Sequence, residues 1–535
     1  MTGAARALKG RDGGVSEDRG VDQEGMAERT PWEIVLPDES ATEDLGRFLA
    51  ELLRPGDLVA LSGGLGGGKT TLARALIREI VGDPDLDVPS PTFTLIQPYE
   101  APGGQMVVHA DLYRLRGSDE LVELGFDEMT ERAVALVEWP DRLPPRSGPT
   151  LAVDLALKPE FGEGARLARL IGGGGLGERL MRARALRALL DRTGWGEAIR
   201  TPMQGDASSR AYERLTNPDG ARAVLMIAPP RPDGPPVRDG KPYSAIVKLA
   251  ESVHAFVAVD RGLRALGLSA PRILGEDLEA GLLIIEDLGA EPVADPGGPR
   301  PERYAEAVKV LARLHGTALP GVLPVAEGKD HVLPPYDLEA LLFEADLLPD
   351  WYAPHVAGTP LSPAARAAFT AAWTEALDGI QPERPTWTLR DYHSPNLIWL
   401  PDRDGLERIG IIDFQDAVLG HPAYDVASLL QDARVDASAE FELRLLGLYA
   451  RERRLREPDF DMQGFARAYA VLAAQRATKI IGIFTRLDRR DGKPDYLAHL
   501  PRIEGYLARN LAHPALAGVR DWYQTHLPRL CPASA

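Results

Sequence analysis

The sequence predicts two domains of different fold class, an α/β domain followed by an α+β domain of two lobes. From Trp32 onward, short apolar runs alternate with amphipathic stretches, which is the rhythm of strands and helices in α/β proteins. Beyond a glycine-rich run at 162–177, two strand patterns at 221–230 and 281–286 precede long Ala- and Leu-rich helical patterns. A chain of 535 residues is too long for one hydrophobic core, so more than one domain is expected.

Composition places the domain boundaries. Residues 1–30 are rich in Gly, Asp, Glu and Arg, which predicts a disordered leader. The α/β domain is expected over 31–160. Closely spaced glycines at 161–177 predict a linker, because no regular element carries such a run in its interior. The second domain is then expected over 178–530.

Charge and cysteine content exclude several classes of function. The formal net charge is -18, which repels a phosphate backbone, so direct nucleic-acid binding is not expected. The single cysteine, Cys531, forms no internal disulfide and fits a reducing cytoplasm. No apolar run reaches the ~20 residues needed to cross a bilayer, and no signal peptide is evident. We therefore expect a cytoplasmic protein without a membrane segment.

A glycine-rich loop follows the first predicted buried strand, Leu58–Leu61. Residues 63–70 read GGLGGGKT, which is the P-loop pattern, and the stretch from Thr70 to Val81 predicts the helix after it. Glycines let backbone N–H groups wrap a polyphosphate, the lysine neutralises its charge and the threonine ligates Mg²⁺. The motif predicts an α/β P-loop NTPase domain that uses ATP and Mg²⁺. The predicted nucleotide-binding residues of the motif are Gly63, Gly66, Gly67, Gly68, Lys69, Thr70 and Thr71.

Two more predicted strands, Met106–Ala110 and Ala133–Val137, each end at an acidic residue. These acids are Asp111 and Glu138, and acids at strand ends beside a P-loop supply oxygen ligands for a hydrated Mg²⁺. A GTPase is excluded because no Asn-Lys-x-Asp element occurs in the sequence. A small-molecule P-loop kinase stays open as an alternative, although no arginine-rich lid segment is evident.

The segments around these acids carry a family resemblance. The runs SPTFTL at 90–95, HADLYRL at 109–115 and LVEWP at 136–140 resemble the ATPase subunit of the bacterial machinery that makes threonylcarbamoyladenosine in tRNA. The resemblance covers about Trp32 to Gly172 and includes PDESAT at 37–42. It implies that partner subunits bind the tRNA. It also implies site roles: Thr42 contacts the nucleotide, Thr92 and Trp139 belong to switch-like segments, Asp111 positions the attacking water, and Thr70 and Glu138 hold Mg²⁺.

A second phosphate-handling pattern lies in the C-terminal half. Asp391 precedes Asn396 by the spacing of a protein-kinase-like catalytic loop, and Asp413 follows the strand-like run Ile409–Ile412. In such a core the first aspartate accepts the proton of the substrate hydroxyl, while the asparagine and the second aspartate hold Mg²⁺ on ATP. The pattern predicts an ATP-dependent phosphotransferase with an α+β bilobal protein-kinase-like fold.

The sequence of this half resembles the aminoglycoside phosphotransferase family over about Leu180 to Pro528. The resemblance rests on LRDYHSPNLIW at 389–399, DFQDA at 413–417, GHPAYD at 420–425 and LLQDAR at 429–434. Within the family these runs look most like kinases that phosphorylate the anomeric hydroxyl of N-acetylmuramate and N-acetylglucosamine in cell-wall recycling, which implies a small amino-sugar substrate. The resemblance also implies a phosphate-covering loop with Ser208, Ser209 and Arg210, and an adenine hinge with Glu286 and Leu288.

Two positions depart from the kinase pattern. Leu389 stands where a loop-bracing histidine is common, and Met226 stands where many kinases place their phosphate-binding lysine. Lys248 comes too late in the sequence to be assigned that role, and either Arg210 or Mg²⁺ alone is expected to compensate. Alternatives left open are an aminoglycoside, choline or homoserine kinase and a pseudokinase that acts as a binding module. If N-acetylmuramate is the substrate, a basic residue is expected near its carboxylate.

Overall fold

A computed structural model of the protein describes residues 31–531 except 116–118, 144–147, 149, 204–209, 231–233 and 383. The chain divides into two compact units after Ala188. The predicted leader at 1–30 lies outside the described residues, as do the predicted phosphate-loop residues Ser208 and Ser209. Among the described helices, none combines the length and the apolar composition that crossing a membrane requires.

A seven-stranded sheet forms the centre of the first unit, in the order β1-β7-β6-β2-β5-β4-β3. Strands β6, β2, β5 and β4 are parallel to one another, whereas β1, β7 and β3 pair antiparallel with their neighbours. This arrangement confirms the predicted α/β class. The strands are β1 Trp32–Leu36, β2 Leu58–Ser62, β3 Ile96–Glu100, β4 Met106–Asp111, β5 Ala133–Glu138, β6 Thr150–Leu157 and β7 Arg166–Gly172.

Helices cover both faces of this sheet, because side chains of the central strands alternate between two apolar clusters. Val59 and Leu61 of β2 join the cluster that contains helix residue Leu72, whereas Leu58 and Ala60 join the cluster that contains Phe126. The helices of the unit are α1 Glu39–Ala50, α2 Lys69–Val81, α3 Asp119–Glu123 and α4 Phe126–Thr130, followed by α5 Gly174–Thr193, within which the boundary between the units falls.

The predicted linker at 161–177 is wrong, because this segment contains β7 and the first turn of α5. Its glycines have two structural uses. Gly162 and Gly164 adopt positive φ angles of 136° and 84° in the turn that joins β6 to β7. A Cβ on Gly172 would lie 2.5 Å from the Cα of Gly177, so glycine lets the end of β7 approach the start of α5. The sheet of the first unit therefore extends beyond the predicted limit at residue 160.

The second unit begins with a five-stranded antiparallel sheet in the order β13-β14-β10-β9-β8. Its central strand β10 has buried residues at four consecutive positions, Ala223 to Met226. Short hairpins and paired strands follow. The strands are β8 Ile199–Met203, β9 Ala211–Thr216, β10 Arg222–Ile227, β11 Pro236–Arg238, β12 Lys241–Pro242, β13 Ile273–Asp277, β14 Leu282–Glu286, β15 Ala294–Asp295, β16 Gly298–Pro299, β17 Val322–Ala326, β18 Lys329–Val332, β19 Thr386–Thr388, β20 Leu397–Trp399, β21 Ile409–Ile411 and β22 Val418–Gly420.

Helices dominate the rest of this unit, as the Ala- and Leu-rich patterns predict. The longest is α14, whose interior is almost wholly buried, and α9, α12 and α15 pack against it. A small sheet followed by a larger helical part is the predicted α+β arrangement. The helices are α6 Tyr243–Val247, α7 Val253–Ala265, α8 Pro301–His315, α9 Leu338–Ala345, α10 Ala353–His355, α11 Pro363–Asp378, α12 Ala423–Leu430, α13 Ala439–Arg454, α14 Met462–Asp491, α15 Leu500–Leu511 and α16 Ala517–His526.

Candidate active sites

The P-loop joins the carboxyl end of β2 to the amino end of α2. Gly63 passes so close to β6 that a Cβ there would lie 2.2 Å from the carbonyl oxygen of Leu155. Gly68 caps α2 with a φ of 98°, a left-handed conformation that favours glycine. The first turn of α2 therefore presents its free N–H groups at the loop, which is the arrangement that binds phosphate.

Lys69 folds back over the loop. Its Nζ donates hydrogen bonds to the carbonyl oxygens of Gly63 at 2.8 Å and Gly64 at 2.9 Å, and it lies 4.0 Å from the ring centroid of Trp139. Burial lowers the pKa of Lys69, while the charges of Glu138 and Asp111 oppose the shift. The loop carbonyls and the indole face together hold the ammonium group at the mouth of the P-loop.

Strand register brings the acidic residues of the first site together. Asp111 and Glu138 are directly paired at the ends of β4 and β5. The hydroxyl of Thr70 donates to both carboxylate oxygens of Glu138, at 3.0 and 3.1 Å, and Nε2 of the buried His109 lies 3.1 Å from Oε1. This pairing of a hydroxyl with a carboxylate suits Mg²⁺, which uses one or two protein oxygens together with phosphate and water.

Asp111 organises the predicted switch segment. Its Oδ2 accepts hydrogen bonds from Thr92 at 2.8 Å and from Ser90 at 3.0 Å, while its Oδ1 accepts from the backbone N–H of Tyr113 at 3.0 Å. The Tyr113 ring packs 5.1 Å from that of Trp139, whose φ is 59°. The structure thus brings Thr92, Asp111 and Trp139 to the same edge of the sheet as the P-loop.

Two predicted nucleotide contacts involve helix α1. The hydroxyl of Thr42, a buried residue, donates to the carbonyl oxygen of Asp38 at 3.2 Å, and the hydroxyl of Thr71 donates to Glu39 Oε1 at 3.3 Å. Both hydroxyls therefore have partners in or next to α1. Their contact with a nucleotide stays a prediction.

Arg166 of β7 is a site residue that the sequence reasoning missed. Its Nε donates to the carbonyl oxygen of Gly67 at 3.0 Å, and its Nη1 donates to the carbonyl oxygen of Gly164 at 3.0 Å. A Cβ on Gly68 would lie 2.7 Å from the same Nε. The guanidinium therefore braces the P-loop from a strand about 100 positions later, and its place inside the predicted linker concealed it.

The second site assembles the three predicted kinase residues. Asn396 Nδ2 donates to the backbone carbonyl oxygen of Asp391 at 2.9 Å and to Asp413 Oδ2 at 3.3 Å. Gln415 donates to the other oxygen of Asp413 at 2.8 Å, and the φ of Asp413 is 59°. The amide oxygen of Asn396 and the Asp413 carboxylate are hard oxygen donors, which is the ligand chemistry that Mg²⁺ prefers.

Charge distinguishes the two aspartates. Burial acts to raise the pKa of Asp391, but the positive charges of His393, Lys479, Arg390 and Arg476 outweigh it and lower this pKa. Burial and the neighbouring Asp391 raise the pKa of Asp413. Asp391 is therefore held ionised, which suits a proton acceptor. Asp413 favours a bound cation or a proton, which suits a metal ligand.

Backbone hydrogen bonds brace the catalytic loop in place of the missing histidine. The fully buried Asp425 accepts from the N–H of Leu389 at 2.7 Å and from the N–H of Arg390 at 2.8 Å. His315 Nε2 lies 3.4 Å from the same carboxylate. Ser428 donates to the Arg390 carbonyl oxygen at 2.9 Å. Leu389 therefore packs in the core while α12 holds the loop.

A buried ionic cluster secures the side chain of Arg390. Its Nη2 lies 2.6 Å from Glu344 Oε1, and Lys479 Nζ lies 2.8 Å from the same oxygen. Tyr336 donates to the other oxygen of Glu344, and Arg390 Nη1 donates to the carbonyl oxygen of Val247 at 2.9 Å. Two cations on one carboxylate leave net positive charge behind Asp391, which agrees with the lowered pKa.

The structure narrows the search for the residue that replaces the phosphate-binding lysine. Met226 is fully buried in the apolar core, and Lys248 pairs with Asp337 at 3.1 Å. Arg210, just before β9, places its Nη1 4.0 Å from Asp413 Oδ1. Of these three candidates, Arg210 alone pairs with a predicted metal ligand.

The predicted adenine hinge lies at the end of β14. Arg403 donates to Glu286 Oε1 at 2.7 Å, and the N–H of Arg272 donates to Oε2 at 3.1 Å. A Cβ on Gly410 would lie 3.1 Å from Leu288 Cδ1, so glycine in β21 makes room for this leucine. The Glu286 carboxylate is thus used within the protein, and Leu288 offers an apolar surface beside β21.

Sequence comparisons match each of the two units to a known family. The family model described as "Threonylcarbamoyl adenosine biosynthesis protein TsaE" matches residues 36–166, and the model described as "Phosphotransferase enzyme family" matches residues 200–459. The N-acetylmuramate/N-acetylglucosamine kinase of Caulobacter vibrioides is 38% identical over 358 residues, which cover 65% of this chain and 97% of that protein.

The relatives that match the first unit align over shorter stretches of this chain. The tRNA threonylcarbamoyladenosine biosynthesis protein TsaE of Rickettsia felis is 40% identical over 106 residues, which cover 20% of this chain and 61% of that protein. Its counterpart in Rickettsia typhi is 38% identical over 104 residues, 19% of this chain and 71% of that protein. The chain is an enzyme that joins ATPase and phosphotransferase units, and it belongs to the TsaE family in its N-terminal part and to the phosphotransferase enzyme family in its C-terminal part.

Proposed function

We propose that the C-terminal unit transfers the γ-phosphoryl group of ATP to the anomeric hydroxyl of N-acetylmuramate or N-acetylglucosamine in cell-wall recycling. The observation that carries this proposal is the meeting of Asp391, Asn396 and Asp413 in one site, joined by hydrogen bonds from Asn396 of 2.9 and 3.3 Å. The likeness to the Caulobacter kinase, almost all of whose length is covered, supports the choice of sugar.

In this proposal each residue has a distinct role. Asp391 accepts the proton of the attacking sugar hydroxyl, because its low pKa keeps it ionised and able to orient that hydroxyl. Asn396 and Asp413 would hold Mg²⁺. Arg210 would supply positive charge near the transferred phosphoryl group, the task for which many kinases use a lysine. When bound, Mg²⁺ neutralises charge on the phosphate oxygens.

Phosphorus NMR of the reaction products tests this function. ATP and Mg²⁺ are supplied with N-acetylmuramate, N-acetylglucosamine, kanamycin, choline or homoserine, using wild type and Asp391→Ala. A sugar-1-phosphate signal that wild type makes and Asp391→Ala lacks is the expected result. Transfer to kanamycin, choline or homoserine but to neither amino sugar would refute the choice of substrate. Absence of transfer to every acceptor by a folded protein would favour the binding-module alternative.

We further propose that the N-terminal unit hydrolyses ATP to support threonylcarbamoyladenosine formation in tRNA together with partner subunits in the cytoplasm. The Thr70–Glu138 contact beside Lys69 supports ATP hydrolysis with Mg²⁺, and Asp111 would position the attacking water. The names of the relatives support the pathway. A net charge of -18 favours a partner as the tRNA-binding surface.

Complementation tests this second function. In a bacterium depleted of its own TsaE protein, the full chain is expected to restore threonylcarbamoyladenosine in bulk tRNA, measured by mass spectrometry of nucleosides. Asp391→Ala is the matched control and should restore it equally, whereas Lys69→Ala should not. Restoration by Lys69→Ala would contradict a role for ATP turnover at the P-loop.

A further inference from the structure

The segment that carries Asp413 holds this residue in an uncommon backbone conformation. The φ of Asp413 is 59°, in the left-handed region, which is unfavourable for residues that have a Cβ. The buried ring of Phe414 stacks on that of Phe256 in α7, with centroids 4.8 Å apart. On the other side, the Asp416 carboxylate accepts from the N–H of Ala250 at 2.6 Å. Contacts of its neighbours with the rest of the unit therefore fix the backbone at Asp413.

The side chain of Asp413 is held by Gln415. Nε2 of Gln415 donates to Asp413 Oδ1 at 2.8 Å, whereas Asn396 Nδ2 donates to Oδ2 at 3.3 Å. Arg210 also approaches Oδ1, with its Nη1 at 4.0 Å. The two oxygens of this carboxylate therefore have different surroundings. Oδ1 is occupied by donors of the protein, and Oδ2 faces the other predicted metal ligand.

Hydrogen-bond chemistry determines which end of the Gln415 amide faces Asp413. A carboxylate that binds a cation is ionised and only accepts hydrogen bonds, so the NH₂ end must face it and the amide oxygen must point away. Gln415 is 3% exposed, and among the described residues no donor reaches its Oε1. A buried acceptor without a donor destabilises the folded state. An apolar side chain of similar size would avoid that cost, so stability alone does not account for glutamine at this position.

We propose that Gln415 is a positioning residue of the phosphotransferase, which orients the Asp413 carboxylate so that Oδ2 is the oxygen presented to Mg²⁺. Hydrogen bonds to a metal-binding carboxylate fix its orientation, and their loss typically weakens metal binding or activity about 10- to 100-fold. The inference rests on the proposed kinase function, in which Asn396 and Asp413 hold the metal. In this role Gln415 acts only through Asp413.

Binding of Mn²⁺ in the presence of ADP tests this role. Mn²⁺ takes the same oxygen ligands as Mg²⁺, and electron paramagnetic resonance measures its free form. The proteins are wild type, Gln415→Met and Asp413→Ala, each as the full chain. Asp413→Ala lacks the proposed ligand, so its binding gives the contribution of the first site. After this contribution is subtracted, Gln415→Met is expected to bind Mn²⁺ about 10-fold or more weakly than wild type.

Gln475→Met is the matched control. Gln475 is also a buried glutamine whose Nε2 donates, at 2.9 Å, and whose Oε1 has no donor among the described residues. Its partner, however, is the backbone carbonyl oxygen of Leu341 and not a metal ligand. Its Mn²⁺ affinity should stay within about twofold of that of wild type.

Denaturant unfolding shows whether Gln415 has a merely structural role. Gln415→Met is expected to be at least as stable as wild type, because methionine fills a similar volume and removes the unpaired amide oxygen. The side chain of Asp413 is 45% exposed, so water can replace the lost donor. A loss of stability with unchanged Mn²⁺ affinity would overturn the proposal.

Kinetics separate positioning from a damaged site. With N-acetylmuramate as acceptor, the Mg²⁺ concentration that gives half the maximal rate is expected to rise about 10-fold in Gln415→Met. At saturating Mg²⁺, kcat should stay within about threefold of wild type. A lower kcat with an unchanged Mg²⁺ requirement would contradict the proposed role.

The binding measurement needs no acceptor, so it decides the role of Gln415 even if wild type transfers phosphate to neither amino sugar. Such a result would count against the proposed function alone. If Gln415→Met fails to fold, a crystal structure of wild type with Mg²⁺ and ADP decides. The expected result is metal at Oδ2 of Asp413 with Gln415 still donating to Oδ1. Metal bound through Oδ1, with the Gln415 amide turned away, would overturn the proposal.

Discussion

The two phosphate-handling sites differ in where their parts lie along the sequence. In the first unit, the loop that would bind phosphate occupies consecutive positions 63–70, because backbone N–H groups and a helix end do the binding. In the second unit, side chains would do the binding, and the loop that carries Asp391 is held from a distance: Asp425 accepts from its backbone N–H groups and Glu344 pairs with Arg390. A site built from backbone can be local, whereas a site built from charged side chains needs support from distant helices.

Replacement of the P-loop lysine should have the largest effect and tests whether the two sites are independent. Lys69→Ala is expected to lower sugar-independent ATP hydrolysis about 100-fold or more, since a charge aimed at the phosphates is lost. Sugar phosphorylation should stay within about twofold, since both reactions use separate residues. Phosphate release without sugar and sugar-phosphate formation are the two measurements. The control is Lys158→Ala, which changes a partly exposed lysine of the same unit. Loss of both activities in a folded protein would contradict independent sites.

Removal of the catalytic-loop brace tests the dependence of the second site on distant support. Asp425→Ala leaves two buried N–H groups without an acceptor, and each such group costs about 1–3 kcal/mol. We expect the free energy of unfolding of the C-terminal unit to fall by about 2–5 kcal/mol, together with kcat for the sugar. Denaturant unfolding and initial rates measure the two effects. Asp402→Ala, which changes an exposed aspartate, serves as the control. An unchanged free energy of unfolding and an unchanged kcat for Asp425→Ala would show that the loop keeps its conformation without this brace.

Replacement of Arg166 tests whether the first site depends on a residue that is distant in the sequence. Arg166→Met removes the donor to the Gly67 carbonyl oxygen while keeping an unbranched side chain, so we expect about a 10-fold weaker affinity for ATP. Titration with a fluorescent ATP analogue measures this. Arg169→Met changes the neighbouring exposed arginine of β7, which pairs with Glu33, and should bind as wild type does. Equal binding by both variants would show that the loop needs no distant brace.

Asp260 gives the smallest expected effect, and the size of this effect depends on pH. Burial raises the pKa of Asp260 to about 7, so between its ordinary pKa near 3.8 and pH 7 the folded state binds more protons than the unfolded state. Stability contributed by the neutral form is therefore lost as pH rises through this window. Asp260→Asn should be more stable than wild type by about 1–3 kcal/mol at pH 8 and by little at pH 4. Thermal unfolding at both pH values checks this, and a gain that is equal at both would contradict it.

In the first unit, the sequence predicted those features whose residues are contiguous along the chain. The P-loop, its strand and helix, and the acids at the ends of β4 and β5 all follow from local patterns. The linker prediction failed because glycine serves both flexible segments and close packing, and only the three-dimensional arrangement distinguishes these uses. The contact of Arg166 with the P-loop was missed for the same reason, because Arg166 lies within the predicted linker. In addition, nothing in the sequence around a single arginine in a strand indicates which residue it contacts.

In the second unit, the sequence predicted the three residues that meet in the candidate site but not their support. The missing histidine at Leu389 suggested a weakened loop, yet Asp425 braces it through backbone N–H groups that no side-chain pattern reports. Similarly, the pairing of Lys479 with Glu344 depends on which face of α14 meets α9. Spacing alone assigns Lys479 to a long helix and goes no further.

The glycines of the P-loop are not equally constrained. A side chain on Gly63 would meet the carbonyl oxygen of Leu155, whereas around Gly64, which is exposed, a Cβ would find no atom within 4 Å. Since the one natural cysteine, Cys531, is buried, a cysteine at position 64 would be the preferred site for a thiol-reactive dye. Such a dye would report nucleotide arrival at the first site in a protein that consumes the same nucleotide at a second.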